Sequence, residues 1–453
     1  MTAPVDGPDA VPTPGISFRQ ALGFWLKLGF ISFGGPAGQI SIMYQELVER
    51  RRWISERRFL HALNYCMLLP GPEAQQLATY LGWLMHRSWG GIVAGALFVL
   101  PSLLILIALA WLYLAFGELA VMAGLFYGIK PAVVAIVAHA AWRIGQRTLR
   151  NRWLWTIAVA SFLAIFLGHV PFPMIVAAAG LIGLVGGRLA PTVFAVSGGH
   201  LAAGKTHAPC VIDDHSEPPP HTRFRWRRLA GIVASGLLLW AVPMALLTSV
   251  CGWEHTLTQM AWFFTKAALL TFGGAYAVLP YVYQGAVLDH GWLSSAQMID
   301  GLALGETTPG PLIMVVAFVA FVGGYVQAVF GPDQLFLAGA VAGMLVTWFT
   351  FLPSFVFILA GAPLVESTQG NLNLSAPLTA ITAAVVGVIV SLALFFAVQV
   401  LWPGGVPSAF SLPSMLITAA AALALVRYQR GVIEVIVASG LLGILLRLGG
   451  IEP

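Results

Sequence analysis

Apolar runs near the roughly 20 residues needed to cross a bilayer follow one another along most of the chain. They lie near residues 18 to 44, 59 to 85, 88 to 115, 119 to 142, 153 to 168 and 171 to 187, and again near 258 to 283, 298 to 330, 334 to 360, 376 to 400, 411 to 425 and 431 to 449. One further run covers 229 to 250, preceded by a polar stretch over 188 to 228. The pattern predicts an all-α polytopic membrane protein. Its parts are a tail over 1–17, a first membrane repeat over 18–187, a linker over 188–228, a connecting helix over 229–250 and a second membrane repeat over 251–453.

Helix breakers interrupt the first segments of both sets. Phe33-Gly34-Gly35 and Pro70-Gly71-Pro72 recur as Phe272-Gly273-Gly274 and Pro309-Gly310-Pro311, each 239 positions later, and the same register carries Lys27 onto Lys266, Tyr44 onto Tyr283 and Trp53 onto Trp292. Further along, Leu100-Pro101-Ser102 recurs as Leu352-Pro353-Ser354, and the Ala-Val-Val at Ala132 recurs at Ala384. The chain is therefore a tandem duplication. Gly and Pro in mid-segment interrupt the helical hydrogen-bond ladder, so broken or re-entrant helices are expected, and paired broken segments mark the binding site of secondary transporters.

Composition agrees: 58% of residues are hydrophobic and 9% charged, which excludes a soluble protein. The first 17 residues hold Asp6, Asp9, four prolines and no Lys or Arg, unlike a cleavable signal, so insertion is expected to rely on internal helices. The net charge of +5 comes from Arg clusters in loops, which points to positive-inside topology rather than a nucleic-acid partner. Cys66, Cys210 and Cys251 are too scattered for a disulfide framework. Cys210 with His207, His215 and His221 fits no zinc spacing, and the linker holding them reads as disordered. No phosphate-binding loop, paired-His motif, nucleophile elbow, Cys cluster or dinucleotide fingerprint occurs, so no cofactor and no enzyme activity, ATP-driven transport or redox chemistry, is expected.

Corresponding loops carry different charge. Arg50, Arg51, Arg52, Arg57 and Arg58 follow the first segment of repeat one, whereas the matching loop around Asp289 and Trp292 has no Lys or Arg. Arg143, Arg147, Arg150 and Arg152 likewise match the uncharged Trp402-to-Ser411 loop. By the positive-inside rule the repeats have inverted topology, with the N-terminus and linker cytoplasmic and the C-terminus periplasmic or extracellular.

A helix restarting after such a break offers unpaired N–H groups and a positive dipole end, an anion site. Lys27 and Lys266 lie seven residues before Gly34 and Gly273, two turns away on the same helix face, and would supply two positive charges for a dianion, unless they snorkel to an interface. Gln75, Gln76, Thr307 and Thr308 are neutral donors or acceptors beside the breaks. Glu73 reads equally as a first-turn acid and as a functional group, and Glu306 is a candidate coupling or gating carboxylate. His61 and His139 read as packing residues.

These motifs resemble the chromate ion transporters in their long form with two fused halves. The resemblance spans about 18 to 449 and rests on Phe33-Gly34-Gly35-Pro36, the run Leu69 to Ala78, Leu100-Pro101-Ser102 and Gly305-Glu306-Thr307-Thr308-Pro309-Gly310-Pro311; the second half departs at Ala275 for Pro36 and Leu312 for Glu73. It implies a multi-pass protein of the bacterial inner membrane that exports chromate and confers chromate resistance, with sulfate as substrate analogue. The alternative is a sulfate or other oxyanion transporter coupled to protons through Glu306. The sequence leaves monomer and homodimer open.

Overall fold

A computed structural model describes residues 16–33, 35–117, 119–168, 170–190, 210–213, 220–368, 375–403 and 410–449. The tail over 1–15, Gly34, most of the linker with His207 and His215, and 450–453 lie outside the described residues. Repeat one comprises α1 (Phe18–Ile31), α2 (Gly35–Tyr44), α3 (Glu56–Cys66), α4 (Glu73–Phe116), α5 (Ala120–Thr148), α6 (Arg152–Phe166) and α7 (Phe172–Leu189); α8 (Trp226–Val250) connects. Repeat two comprises α9 (Thr256–Leu270), α10 (Ala275–Tyr283), α11 (Ser295–Thr307), α12 (Val315–Val326), α13 (Leu335–Thr368), α14 (Ser375–Leu401), α15 (Leu412–Val426) and α16 (Val432–Leu448). Among the described residues, six helices are long and apolar enough to cross a bilayer. The duplication reaches into fine detail, since α2 and α10 each run on into a π-helical turn, Gln45–Arg50 and Gln284–Asp289, at equivalent positions.

The Phe-Gly-Gly breaks reverse the chain. Phe263 in α9 stacks on Tyr281 in α10 at 4.8 Å, about three turns before and two turns after the intervening glycines. In repeat one the Arg51 guanidinium sits 5.2 Å from the Phe24 ring. A helix running straight through the break would put the first pair about 27 Å apart and the second about 40 Å apart. Gly35, Gly273 and Gly274 have φ of 68°, 80° and 96°, a backbone that glycine adopts without cost.

The Pro-Gly-Pro breaks reverse it again. Tyr65 in α3 meets Tyr80 in α4 at 6.0 Å across Pro70-Gly71-Pro72, and Gly301 in α11 lies under the Phe318 ring of α12. A third reversal falls inside α4 at His86-Arg87, where Arg87 has φ 58°. The arms 73–85 and 88–116 then pack face to face, Gly82 against Gly90, too close for any Cβ. Each repeat therefore opens with two short helical hairpins and continues into long helices.

The long helices interlock the halves. Helices α15 and α16 of repeat two pack on α5 of repeat one, while α6 and α7 of repeat one pack on α14 of repeat two, and α5 touches α14 between them. Small residues permit the closest approaches: Gly128 faces the Ser439 carbonyl and Gly443, and Gly183 would place a Cβ 2.6 Å from Pro377 Cα. Such reciprocal exchange is the mark of a two-fold relation.

The linker departs from expectation. Its described residues are docked, not free: the Val211 and Ile212 N–H groups donate to the Arg52 and Trp53 carbonyls at 3.1 and 3.0 Å, and the Ser55 N–H donates to the Ile212 carbonyl at 3.1 Å. His221 Nε2 lies 3.1 Å from the Trp83 carbonyl. The reason is local, since the hairpin exit at Arg52–Ser55 leaves backbone groups that a passing extended segment satisfies.

Candidate functional site

The four breaks meet. The Gly71 N–H donates to the Thr271 carbonyl at 2.7 Å, and the Gly310 N–H donates to the Ser32 carbonyl at 2.9 Å. Ser32 and Thr271 are equivalent residues, as are Gly71 and Gly310, so each Pro-Gly-Pro loop is bonded to the Phe-Gly-Gly turn of the other repeat. Both carbonyls sit at helix ends, freed because α1 and α9 stop there, and the Ser32 and Thr271 hydroxyls fold back onto the Leu28 and Ala267 carbonyls at 2.5 and 2.7 Å.

The Leu-Pro-Ser signatures close the junction from outside. A Cβ on Gly310 would lie 2.7 Å from Ser102 Cβ, and a Cβ on Gly71 would collide with Ser354 Oγ, so each Pro-Gly-Pro glycine again rests on the opposite repeat. Gly71 and Gly310 also have φ of 131° and 104°. Two independent constraints therefore demand glycine at both positions.

The Gly71 and Gly310 bonds set the starts of α4 and of the Leu312–Met314 turn leading into α12 beside the ends of α9 and α1, and that turn also packs on α10 and α4. The expectation that the breaks leave their amides unpaired needs correcting at Gly71 and Gly310, whose N–H groups are taken by the opposite carbonyls. Donors for an anion would instead be the first-turn amides that lack such a partner, which leaves out Ala277 and Met314, already bonded to the Gly274 and Pro311 carbonyls at 3.0 and 2.9 Å. Polar side chains gather here too. Gln39 Nε2 donates to the Gly310 and Ser32 carbonyls at 2.5 and 3.2 Å, Gln76 Nε2 to the Pro70 carbonyl at 2.8 Å and Gln75 Nε2 to Thr79 Oγ1 at 3.0 Å. Among the described residues, Gln39 Oε1, Gln75 Oε1, Gln76 Oε1 and Ser102 Oγ are buried without a partner. A cluster of orphaned buried polar atoms leaves room for a further polar group to bond there.

The remaining sequence candidates are placed unevenly. Pro309, Gly310 and Pro311 are buried; Thr307 and Thr308 spend their hydroxyls on the Leu304 and Gly305 carbonyls at 3.0 and 3.1 Å. Glu73 opens α4 directly after Pro72, and Glu306 accepts a hydrogen bond from the Tyr276 hydroxyl in the first turn of α10. Phe272 packs against the core, whereas Phe33 is exposed. Gly34 lies outside the described residues.

Lys27 and Lys266 are exposed on the outer faces of α1 and α9, beside exposed Leu26, Phe30 and Leu269, and the Lys266 ammonium lies 5.8 Å from the Trp262 ring. The structure does not bring these ammonium groups into the buried junction. The seven-residue spacing that put them on the face of the break assumes a continuous helix, and α1 and α9 end at Ile31 and Leu270, before the spacing is complete.

A cationic cavity of about 480 Å³ opens beside Tyr276 instead, lined among others by His139, Arg143, Gln146, Gln429 and Arg430. Arg143 reads in the sequence as a topology signal only, yet it faces this cavity. Gln39, Tyr276 and Ser102 likewise escaped notice as site residues. Gln39 is a polar residue inside an apolar segment, which is the signal that marks it.

A family model described as "chromate transporter" matches residues 19–184 and 258–444, one block per repeat. The chain belongs to the chromate transporter family. The chromate transport protein of Pseudomonas aeruginosa is 35% identical over 384 residues, covering 84% of this chain and 81% of that protein. That of Cupriavidus metallidurans is 30% identical over 377 residues, covering 83% and 82%. A shorter relative, the uncharacterized transporter YwrA of Bacillus subtilis, is 31% identical over 167 residues, 36% of this chain but 93% of its own length. One repeat is thus about the size of that whole protein, which accords with the duplication seen here. No solved structure matches the chain. Membership makes the chain a membrane transporter and not an enzyme.

Proposed function

We propose that this protein is a secondary transporter that exports chromate from the bacterial cytoplasm across the inner membrane and thereby confers chromate resistance. The observation that carries this reading is the reciprocal pair of bonds, Gly71 to Thr271 and Gly310 to Ser32, which ties each Pro-Gly-Pro loop to the Phe-Gly-Gly turn of the other repeat. The dipoles of the helices starting at these loops and turns favour a dianion there without a buried counter-charge. The loop charges support inverted repeats whose hairpins are re-entrant, with the N-terminus and linker inside and the C-terminus outside. The Arg143 cavity then faces the cytoplasm and concentrates the anion beside the junction.

Export needs no partner ion in this reading. At 100 mV inside negative, each elementary charge is worth about 2.3 kcal/mol, so a departing dianion gains about 4.6 kcal/mol. Proteoliposomes at clamped potential test it: chromate efflux should rise steeply with inside-negative voltage, sulfate should compete, and Arg143→Gln should raise the chromate KM about tenfold from the cavity side. Flux that ignores voltage and requires a pH gradient would overturn electrogenic export. It would favour the second reading, proton-coupled transport of sulfate or another oxyanion, for which the Tyr276–Glu306 hydrogen bond at the junction is the specific support.

A further inference from the structure

A second cavity, of about 580 Å³, lies toward the opposite end of α5 from Arg143. Its charged lining residues are Lys130, Asp300 and Arg447. The Lys130 ammonium is 3.4 Å from Asp300 Oδ2, which also accepts the Tyr113 hydroxyl at 2.9 Å. Asp300 is 3% exposed and Lys130 31%. The other carboxylate oxygen, Oδ1, is buried without a partner among the described residues, and so is the hydroxyl of Tyr127, which lines the same cavity. An intramembrane ion pair is costly, and a half-satisfied one is costlier, so its position on a cavity points to use.

The duplication sharpens the point. The position equivalent to Asp300 in repeat one is His61, and that equivalent to Tyr113 in repeat two is Val365. These two also meet, His61 Nε2 lying 3.4 Å from the Val365 carbonyl. The contact is kept on both sides while the carboxylate and its lysine occur on one. The cavities differ accordingly. The one at Arg143 has two arginines and a histidine and no carboxylate among its lining residues, although exposed Glu434 lies 3.7 Å from Arg430. The one at Lys130 carries a buried carboxylate already bonded to its lysine.

We propose that the Lys130–Asp300 cavity is a low-affinity site for a tetrahedral oxyanion, in which the Asp300 carboxylate competes with the oxyanion for the Lys130 ammonium. This rests on the transport reading above and makes the cavity the release side. An anion arriving at Lys130 must displace Asp300, and Asp300 reclaiming its lysine expels the anion. A proton on Asp300 removes the competitor, so oxyanion binding here strengthens as pH falls. The titratable and charged groups facing Asp300 are Lys130 and Tyr127 from α5, Tyr113 from α4 and Arg447 from α16; α12 and α14, which also pack on α11, carry no charged residue.

The test uses full-length protein in proteoliposomes, with chromate efflux measured while chromate is added on the Lys130 side. The wild type should be inhibited weakly at pH 8 and more strongly at pH 6. Asp300→Asn, which keeps an acceptor for Tyr113, should be inhibited about tenfold more strongly at pH 8 and should lose the pH dependence. The neutral pair Lys130→Gln with Asp300→Asn guards against a folding artefact and should return to weak, pH-independent inhibition. Asp300→Asn with wild-type inhibition and wild-type pH dependence would overturn the inference alone. A wild type with no chromate flux at all would overturn the transport reading on which it rests.

Discussion

The two Phe-Gly-Gly turns are equivalent in sequence, in backbone and in their bond to the opposite Pro-Gly-Pro loop, yet the groups around them differ. In repeat one, Gln39 ties the turn to Gly310 through two carbonyls. In repeat two the same position is Val278, and no such tie exists at that residue. Conversely Tyr276, which bonds Glu306, has Ala37 as its counterpart, and Glu306 itself has Met67. The polar residues flanking Pro-Gly-Pro sit after the loop in repeat one, as Glu73, Gln75 and Gln76, and before it in repeat two, as Glu306, Thr307 and Thr308. What duplication preserved is the backbone frame that brings four helix ends together. What diverged is the chemistry hung on it, so the two sides of the junction present different groups, Gln39 and Glu73 from one repeat and Tyr276 and Glu306 from the other.

The frame is where substitution should do most harm. Gly310→Ala and Gly71→Ala each add a methyl group where Ser102 Cβ or Ser354 Oγ already stands, at a φ that L-residues avoid. Backbone strain and overpacking each cost about 1–3 kcal/mol, enough to remove most folded protein. Size-exclusion chromatography of detergent-extracted variants should show loss of the monodisperse peak for both glycines equally. A large loss for one and none for the other would mean that the frame is not symmetric after all.

The diverged chemistry should respond more gently and on one side. Gln39→Leu leaves the Gly310 carbonyl without its side-chain donor, a loss of about 1–3 kcal/mol for a buried group, while the Gly310–Ser32 backbone bond persists. The protein should still fold, with a thermal midpoint lowered by several degrees, and chromate flux should fall several-fold. The same measurement on Val278→Leu, its fully buried counterpart, should lower the thermal midpoint by overpacking but leave the flux per folded protein unchanged. Equal loss of flux from both would place Gln39 in the common frame rather than in the diverged set.

Much of the frame is legible in the sequence because it is made of glycine and proline, whose backbone consequences are local and nearly independent of surroundings. Phe-Gly-Gly, Pro-Gly-Pro and Leu-Pro-Ser each mark a point that the structure uses, and their repetition reveals that the halves correspond. The pairing of one repeat's loop with the other's turn is not legible, because nothing in either segment says which copy it will face. Charged residues are harder for a related reason. Arg143 sits among loop arginines that set topology, and only packing shows that it also lines a cavity. Lys130 and Asp300 stand inside apolar segments, the pattern that flags intramembrane charge, but 170 positions separate them and no spacing rule joins them.

Lys27 and Lys266 are the opposite case: conspicuous in the sequence, duplicated, and in the structure turned away from the junction. They share the exposed faces of α1 and α9 with apolar residues, and Lys266 lies over Trp262, an arrangement in which a long side chain runs along the helix to bring its ammonium to a polar boundary. Removing such a charge leaves the junction, its four helix ends and the Arg143 cavity intact. Lys27→Gln and Lys266→Gln should therefore change chromate KM by less than about threefold, under 0.7 kcal/mol, the smallest effect of the series, and the double variant should behave like either single one. If instead both single variants abolish saturable flux in correctly folded protein, the lysines must reach the substrate in a state other than this one. The symmetric frame would then carry symmetric charge at the substrate, and only the diverged residues would distinguish one repeat's contribution from the other's.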